Sequence, residues 1–354
     1  MFYSWFTMVQ CPLGQTIKRA SINTVRELKM FWRRFAHAFR NCFRKGWFQR
    51  RNGKQMNNEI VPSFPDGKEF TLFRETHPNV LRSMDDVAAG YTRIMLAMEQ
   101  LDSNRDNEIL FLMLGACYTE YEEILLLSLN GYGAGGTKLL RALYERVVTV
   151  LYLVKNPEKI QQFIDYTHVH WNKLLIEADT NGVAKELNEE RRKEIAANFE
   201  AVKDRFSEPR CSEKTCKNFG KTQLQLSWTK KPVPTQAREV VPELGLLCFQ
   251  TYMMPTFFLH TTLWGISQQI KEHENGKREL HNKEMERGYA QKAVLLSSVL
   301  MGHLASGLLE HFKFEMRETS ERMMEAIKSI GRELSKTDLE SAEPPPHSTH
   351  PTGS

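Results

Sequence analysis

Hydrophobic residues in this chain recur at helical spacing from residue 78 onwards. Val80, Met84, Val87 and Tyr91 lie three or four residues apart, which predicts one apolar face of a helix over 79–101. No segment alternates apolar and polar residues as a half-buried strand does. The same reasoning predicts further helices over 106–129, from 139 to about Asn156, and over 157–180, 184–206, 244–271 and 282–334. The pattern therefore predicts an all-α fold, a mostly antiparallel multi-helix bundle with one longer excursion at 207–234.

Two segments contain no Asp, Glu, Lys or Arg, namely 244–270 and 293–309. The first is long enough to span a bilayer. It also holds Gln250, Pro255 and His260, which weakens a membrane assignment. We interpret both segments as central helices of a bundle.

Charge is distributed unevenly. Residues 1–55 carry twelve Lys or Arg against Glu27 alone, whereas the remaining residues carry 36 Lys or Arg against 42 Asp or Glu. General affinity for nucleic acid is therefore not expected outside the N-terminal segment. Residues 336–354 include four prolines after Ser341 and are predicted to be a disordered tail, which leaves 56–335 as the helical domain.

Residues 1–55 combine basic side chains with an aromatic stripe, represented by Phe31, Trp32, Phe35 and Phe39. A basic amphipathic helix is typical of a segment that binds a membrane surface or nucleic acid. Two alternatives remain open. The stripe packs on the main domain, or the segment is not native because Met30 or Met56 is the true start.

Composition places the chain among ordinary globular proteins of a reducing compartment. Six cysteines are spread thinly and no signal peptide is visible, so we expect a cytoplasmic protein. The G-x-S-x-G and H-E-x-x-H signatures do not occur, which argues against the hydrolases and zinc proteases that carry them. Cys211 and Cys216 would form at most half a zinc site.

Residues 131–136 match the G-x-G-x-x-G pattern literally. Nucleotide-binding loops of this type follow a strand, but the preceding residues read as the end of a helix. A turn between two helices is the better interpretation. The helix that begins here could still bind an anion through its free N–H groups.

Arg141 and Glu145 lie four residues apart in a segment that is otherwise almost entirely apolar. They share one face of a helix and are predicted to form a buried ion pair, since a buried charge must be paired. Tyr144 lies beside them.

Asp165 and His168 share a face of the next helix and could supply two ligands to a metal, but no second such pair follows. An Asp–His hydrogen bond, or neutralisation of Arg141 by Asp165, is the better interpretation. His260 lies in an uncharged segment, so we expect a buried histidine whose partner comes from another helix, with Arg141, Glu145 and Asp165 as candidates.

Several motifs in order resemble those of a widespread bacterial family of uncharacterised helical proteins. They are Lys138 to Arg146, Tyr152 to Glu158, Phe163 to Tyr166, Ser227-Trp228 and Tyr252 to His260. The resemblance spans residues 75–320. It implies an all-α fold with Arg141, Glu145, Asp165 and His260 as shared polar positions, and it implies no established activity.

Two functions remain open at this point. The first is a binding or interaction module in which Arg141, Tyr144 and His168 bind a small anionic ligand or a protein partner, or in which the polar residues only fix helix register. The second is a hydrolase or nuclease-like effector of bacterial defence or stress response, with Glu145, Asp165 and His260 as catalytic residues. The sequence identifies no cofactor and no metal ligand set, and self-association as a homo-oligomer is a further candidate.

Overall fold

Helices dominate the computed structural model, which describes residues 67–182, 188–211, 213–260, 262–273, 276–280 and 283–340. The helices are α1 (Gly67–Thr76), α2 (Pro78–Met98), α3 (Arg105–Leu129), α4 (Gly133–Lys155), α5 (Ile160–Thr180), α6 (Glu189–Glu200), α7 (Val233–Val240), α8 (Pro242–Cys248), α9 (Met254–Leu259), α10 (Leu263–Ser267), α11 (Lys283–Phe312) and α12 (Arg317–Glu340). Short 3-10 turns, Pro157–Lys159 and Lys203–Phe206, precede α5 and follow α6, and a π-helical turn, Phe249–Met253, joins α8 to α9. The predicted all-α class is confirmed.

Two small antiparallel hairpins interrupt the helices, which the sequence pattern did not predict. Strand β1 (Ser207–Pro209) pairs with β2 (Thr222–Leu224) in the predicted excursion. Strand β3 (Ile270–Glu272) pairs with β4 (Arg278–Leu280) just before α11. Strands of three residues are too short to show an alternating pattern, which is why the prediction missed them.

Side-chain contacts give the directions of the bundle helices. The N–H of Asn79 donates to the Glu333 carboxylate over 2.9 Å, and Arg322 donates to Asp86 over 2.9 Å. The numbering therefore rises along α2 as it falls along α12, and the two helices are antiparallel. The α3–α4 pair is also antiparallel, because a three-residue turn at 130–132 joins them.

Helices α4 and α11 run parallel. A Cβ atom at Gly133 would collide with the backbone of Glu286 and Ala290, and one at Gly307 would collide with the side chain of Leu151. The N-terminal part of α4 therefore contacts the N-terminal part of α11. At this contact the two backbones are so close that only glycine fits. The parallel pairing requires a long return connection, which residues 156–282 supply.

The core contains three fully buried tyrosines whose hydroxyl groups bind across it. Tyr91 donates to the carbonyl of Met301 over 3.3 Å, and the hydroxyl of Tyr121 lies 3.1 Å from that of Ser298. Tyr144 donates to the carbonyl of Leu244 over 2.8 Å. The first two tie α2 and α3 to α11, and the third ties α4 to α8. Each satisfies a polar group that burial would otherwise leave without a partner.

Two predicted long helices are each broken. The 244–271 helix is wrong, because the chain there forms α8, the π-turn, α9 and α10. The 282–334 helix ends at Phe312, where Lys313 adopts φ 52° and the N–H of Phe314 donates to the carbonyl of Leu309 over 3.1 Å. This six-to-one bond is typical of a Schellman motif, which ends a helix and usually has glycine at the position with positive φ. Because this chain has a lysine there, the residue type did not indicate the end of the helix.

The two ends of the helical domain differ from the predicted boundaries. Helix α1 was not expected, and α12 continues to Glu340, past the start of the predicted tail at 336. The N-terminal segment 1–55 and residues 341–354 lie outside the described residues.

Candidate functional site

Arg141 stands at the centre of a polar cluster between α4 and the segment that follows α8. Its Nε donates to Glu145 over 3.1 Å, its Nη1 donates to the hydroxyl of Thr256 over 2.7 Å, and its Nη2 donates to the hydroxyl of Tyr252 over 3.3 Å. The guanidinium carbon also lies 4.5 Å from the centroid of the Tyr252 ring. We call these four residues the Arg141 cluster.

The predicted ion pair is confirmed, but it is only partly buried. The side chain of Arg141 is 24% exposed and that of Glu145 is 41% exposed. Apolar neighbours on the same helix, among them Leu140, Leu143 and Val147, are fully enclosed. The charged face of α4 therefore lies at the edge of the core, and the prediction of a pair inside the core was wrong in that respect.

The local backbone explains how Tyr252 and Thr256 reach the same guanidinium. They lie four residues apart on one helical face, and Pro255 between them cannot donate an N–H to the preceding turn. The wide π-turn Phe249–Met253 stands where a regular α-helix would need that bond. The hydroxyl of Thr256 donates to the carbonyl of Tyr252 over 2.9 Å, which orients its oxygen to accept from Arg141.

A second ion pair lies on the neighbouring helix. Arg146 on α4 lies 3.0 Å from a carboxylate oxygen of Glu120 on α3, and the Glu120 side chain is only 10% exposed. The other oxygen of Glu120 is buried and has no hydrogen-bond partner. Burial raises the pKa of Glu120 to about 7 against the opposing effect of Arg146, and the carboxylates of Glu123 and Glu145 add to the rise.

Asp165 lies in a different polar cluster. One oxygen accepts from Gln161 over 2.7 Å and the other accepts from Arg205 over 2.6 Å. The prediction that Asp165 neutralises Arg141 is therefore wrong, because Arg205 pairs with this carboxylate, whereas the Asp165–His168 hydrogen bond stays a prediction. Arg205 follows α6, far along the chain from Asp165, so no local pattern in the sequence indicated the pairing. His168 lies half-buried on the same helix, α5.

Two other predicted site residues occupy contrasting environments. Tyr144 is fully buried and its hydroxyl is used by Leu244, so its role in the structure is to anchor α8. His260 is exposed where α9 ends, its N–H donating to the carbonyl of Thr256 over 3.0 Å. The expectation of a buried histidine is thus wrong. Among the residues that the structure describes, no hydrogen bond or ion pair joins His260 or Asp165 to Arg141 or Glu145.

The glycine-rich turn is a helix-to-helix connection, as predicted. Gly131 adopts φ 80°, a conformation that favours glycine, and α4 begins at Gly133. The N–H of Ala134 in the first turn donates to the carboxylate of Glu286 over 2.8 Å. The anion at this helix start is therefore a side chain of the chain itself, on α11.

A large apolar surface covers the outside of the segment that the Arg141 cluster holds. Along α8, the π-turn and α9, one helical face exposes Leu246 (83%), Phe249 (58%), Met253 (52%) and Phe257 (41%). We call these four side chains the apolar stripe. Their spacing of three, four and four residues keeps them on one face, because it stays close to the 3.6-residue turn of a helix.

The stripe continues into the residues that follow α9. The ring of Phe257 lies 5.4 Å from that of Trp264, centroid to centroid, and Trp264 also packs on Phe258. The further exposed apolar side chains of this region are Leu259, Leu263, Trp264 and Ile266. Together with the stripe they form what we call the apolar surface. The face opposite the stripe is buried through Leu244, Cys248, Thr251, Pro255 and Phe258.

Sequence reasoning missed the Glu120–Arg146 pair, the roles of Tyr252 and Thr256, and the apolar surface. Signals existed for each. Glu120 is a charge in a strongly apolar helix, and Tyr252 and Thr256 are four residues apart in an uncharged segment. The stripe has a helical period. The helical period of the hydrophobic residues does not show which of the two apolar faces of this segment packs on the bundle.

Two further properties bear on what the molecule can bind. Within the described ranges, no group of three or more His, Cys, Asp or Glu side chains is arranged to hold a metal ion. One described helix, α11, is long and apolar enough to cross a membrane, but 61% of its most apolar stretch is buried inside the structure, as is typical of a core helix.

Comparisons with known proteins agree with the family resemblance seen in the sequence. Neither the curated proteins nor the solved structures contain a match to this chain. Residues 107–278 match a family described as "Family of unknown function (DUF5677)". The matched range contains most of α3 and all of α4, the Arg141 cluster and the apolar surface. Over residues 107–278, this chain is therefore similar to DUF5677, a family of unknown function.

Proposed function

We propose that this chain is a non-catalytic interaction module whose binding surface is the apolar surface of α8–α10. One observation carries the proposal. Eight large apolar side chains are at least 38% exposed within 246–266, in a segment without a single charged residue. At typical side-chain areas these groups expose roughly 800 Å², more than the few hundred Å² of the largest apolar patch on most monomers.

The Arg141 cluster supports this assignment by giving the surface a fixed position. Arg141 bonds to both Tyr252 and Thr256, which lie on the same segment as the stripe and are only partly exposed. These bonds use two of its nitrogens, and the third donates to Glu145, which neutralises its charge. Arg141 is thus better suited to holding the segment on α4 than to capturing a small anion.

The catalytic alternative stays a prediction. It requires Glu145, Asp165 and His260 to act on one substrate. In the described part of the chain their hydrogen bonds lead to different places, with Asp165 joined to Arg205 and His260 exposed at the end of α9. No observation brings the three together, so the geometry favours binding.

Site-specific photocrosslinking in cells that produce the chain natively tests the proposal. A benzophenone amino acid replaces Met253 in the stripe, and the matched control replaces Leu174, which is 59% exposed on α5. We expect defined adducts from position 253, lost when Phe249→Glu is added, and none from position 174. Absence of adducts at 253, or equal adducts at both positions, would contradict the proposal.

A further inference from the structure

We infer that the occupant of the apolar surface is a second copy of this chain, bound through the stripes of two molecules about a two-fold axis. The inference rests on the proposed function and names its partner. The stripe runs over Leu246, Phe249, Met253 and Phe257, all on the solvent face of one continuous helical segment.

The size of the surface agrees with a dimer interface. A standard protein–protein interface covers about 800 Å² on each partner. The eight exposed side chains of the apolar surface offer roughly that area. A copy that covered only one or two of them would leave most of the patch in water, so the area favours a partner that covers the entire face.

The chemistry of the face agrees with self-recognition. A two-fold axis brings each part of an interface close to the same part of the other copy. Any charged residue near the axis would then meet its own like charge. Residues 244–270 contain no Asp, Glu, Lys or Arg, so this repulsion does not arise. A different protein partner usually contributes charged residues, and a complementary surface carries opposite charges that pair with them. The apolar surface carries no charged residue that could do so.

The spacing of the stripe also suits helix-on-helix packing. Leu246, Phe249 and Met253 follow the three-and-four repeat by which two helices interdigitate. Phe257 lies four residues after Met253 and continues the row. The partner helix supplies the same row of side chains, so knobs of one copy enter the gaps of the other.

A lipid surface fits these observations less well. Helices that lie on membranes flank their apolar face with Lys and Arg, which contact anionic headgroups. The uncharged segment has no such flank within it. The chain from residue 56 onwards also carries more acidic than basic residues, which opposes approach to an anionic leaflet.

Sedimentation equilibrium of the full chain from about 1 to 100 µM, a range that brackets the affinities of typical weak dimers, tests the inference. We expect a reversible dimer. The double variant Phe249→Glu/Met253→Glu places four like charges in the interface and should raise the dimer dissociation constant at least about 100-fold. The control Leu174→Glu, at a similarly exposed apolar site, should leave it unchanged.

Three outcomes would overturn the inference. They are a monomeric wild type, a dimer that the double variant leaves intact, and a wild type that floats with phosphatidylcholine or phosphatidylglycerol vesicles while staying monomeric. Circular dichroism checks the fold of the double variant. If it is unfolded, Leu246→Lys replaces it, because that side chain is 83% exposed. A monomer that still gives adducts at position 253 refutes the dimer but not the interaction module, and a monomer without adducts refutes both.

Discussion

The two segments 244–270 and 293–309 both lack Asp, Glu, Lys and Arg, but they differ in how they are buried. The second lies within α11 and is enclosed by the bundle, with Ser298 on Tyr121 and Gly302 against Ile327. The first is covered on one face only and exposes the apolar surface on the other. Apolar composition therefore identifies residues that tend to be buried. It does not show whether the same chain or a binding partner buries them.

Small residues account for much of the difference. Gly302 and Gly307 let α12 and α4 approach the α11 backbone, because a Cβ atom there would collide with Ile327 and Leu151. The 244–270 segment instead contains Pro255 and forms short helices. Its outer face carries large side chains. In the structure, the bundle leaves this outer face exposed.

The largest effect is expected from filling the α4–α11 contact. Gly133→Ala should lower the free energy of unfolding by about 2–4 kcal/mol, because the added methyl group meets the backbone of Glu286 and Ala290, which cannot move aside as a side chain can. Chemical denaturation measures the change.

The matched control is Gly135→Ala in the same helical turn, where the nearest atom would be 3.4 Å from the new Cβ. Alanine is the better helix former, so this variant should be unchanged or more stable by up to about 1 kcal/mol. Equal losses at both positions would show that the α4–α11 approach is not as close as described.

The next effect concerns the Arg141 cluster. Arg141→Met keeps the aliphatic stem but removes the bonds to Glu145, Tyr252 and Thr256, and it should cost about 1–2 kcal/mol. The loss should be local. Amide hydrogen exchange should accelerate in 249–259 and stay unchanged in α11.

Arg192→Met provides the comparison, since Arg192 is 30% exposed and lies 2.7 Å from Asp179. It should cost about 0.5 kcal/mol and leave exchange in 249–259 as it is. Uniform acceleration across the chain in Arg141→Met would mean that the cluster supports the bundle rather than the apolar surface.

A smaller effect is expected from pH. Because burial raises the pKa of Glu120 to about 7, the folded protein keeps a proton between pH 4.5 and 7 that the unfolded chain releases. Stability should therefore fall as pH rises through this window. The fall should be on the order of 1 kcal/mol, since the partner Arg146 is 46% exposed and water moderates the local electrostatics. Burial raises the pKa of Glu122 to about 7 as well, so that residue acts in the same direction.

Glu120→Gln should flatten the fall when denaturation midpoints are compared from pH 5 to 8. The same substitution at Glu189, whose side chain is 73% exposed, serves as the control. An unchanged slope in Glu120→Gln would mean that Arg146 keeps the Glu120 carboxylate ionised throughout this window.

The smallest effect on folding is expected at the stripe. Met253→Lys replaces a side chain that is 52% exposed and should change the free energy of unfolding of the isolated chain by no more than about 0.5 kcal/mol. Its effect should appear instead in the concentration dependence of Tm. The wild-type Tm should rise with protein concentration, because association stabilises the folded state, and that of the variant should not.

Much of the bundle could be predicted from the sequence, because helical spacing, the glycine turn and Asn156-Pro157 are local signals. The predicted helices over 79–101 and 106–129 are found as Pro78–Met98 and Arg105–Leu129. The Schellman ending at Lys313 was missed because its residue type is not the usual one.

The candidate site was less predictable. The pair Arg141–Glu145 follows from a four-residue spacing, whereas Arg205 beside Asp165 and Thr256 beside Arg141 depend on how distant segments pack. The exposure of His260 depends on where α9 ends, which hydropathy did not indicate.

The close approach at Gly133 also bears on where the autonomous folding unit ends. The family match stops at residue 278, five residues before α11 begins. A fragment of 107–278 would leave the α11-facing side of α4 in water, including the backbone beside Gly133 and the side chain of Leu151. We therefore expect a fragment that extends through α11 to be more stable than one limited to the matched range.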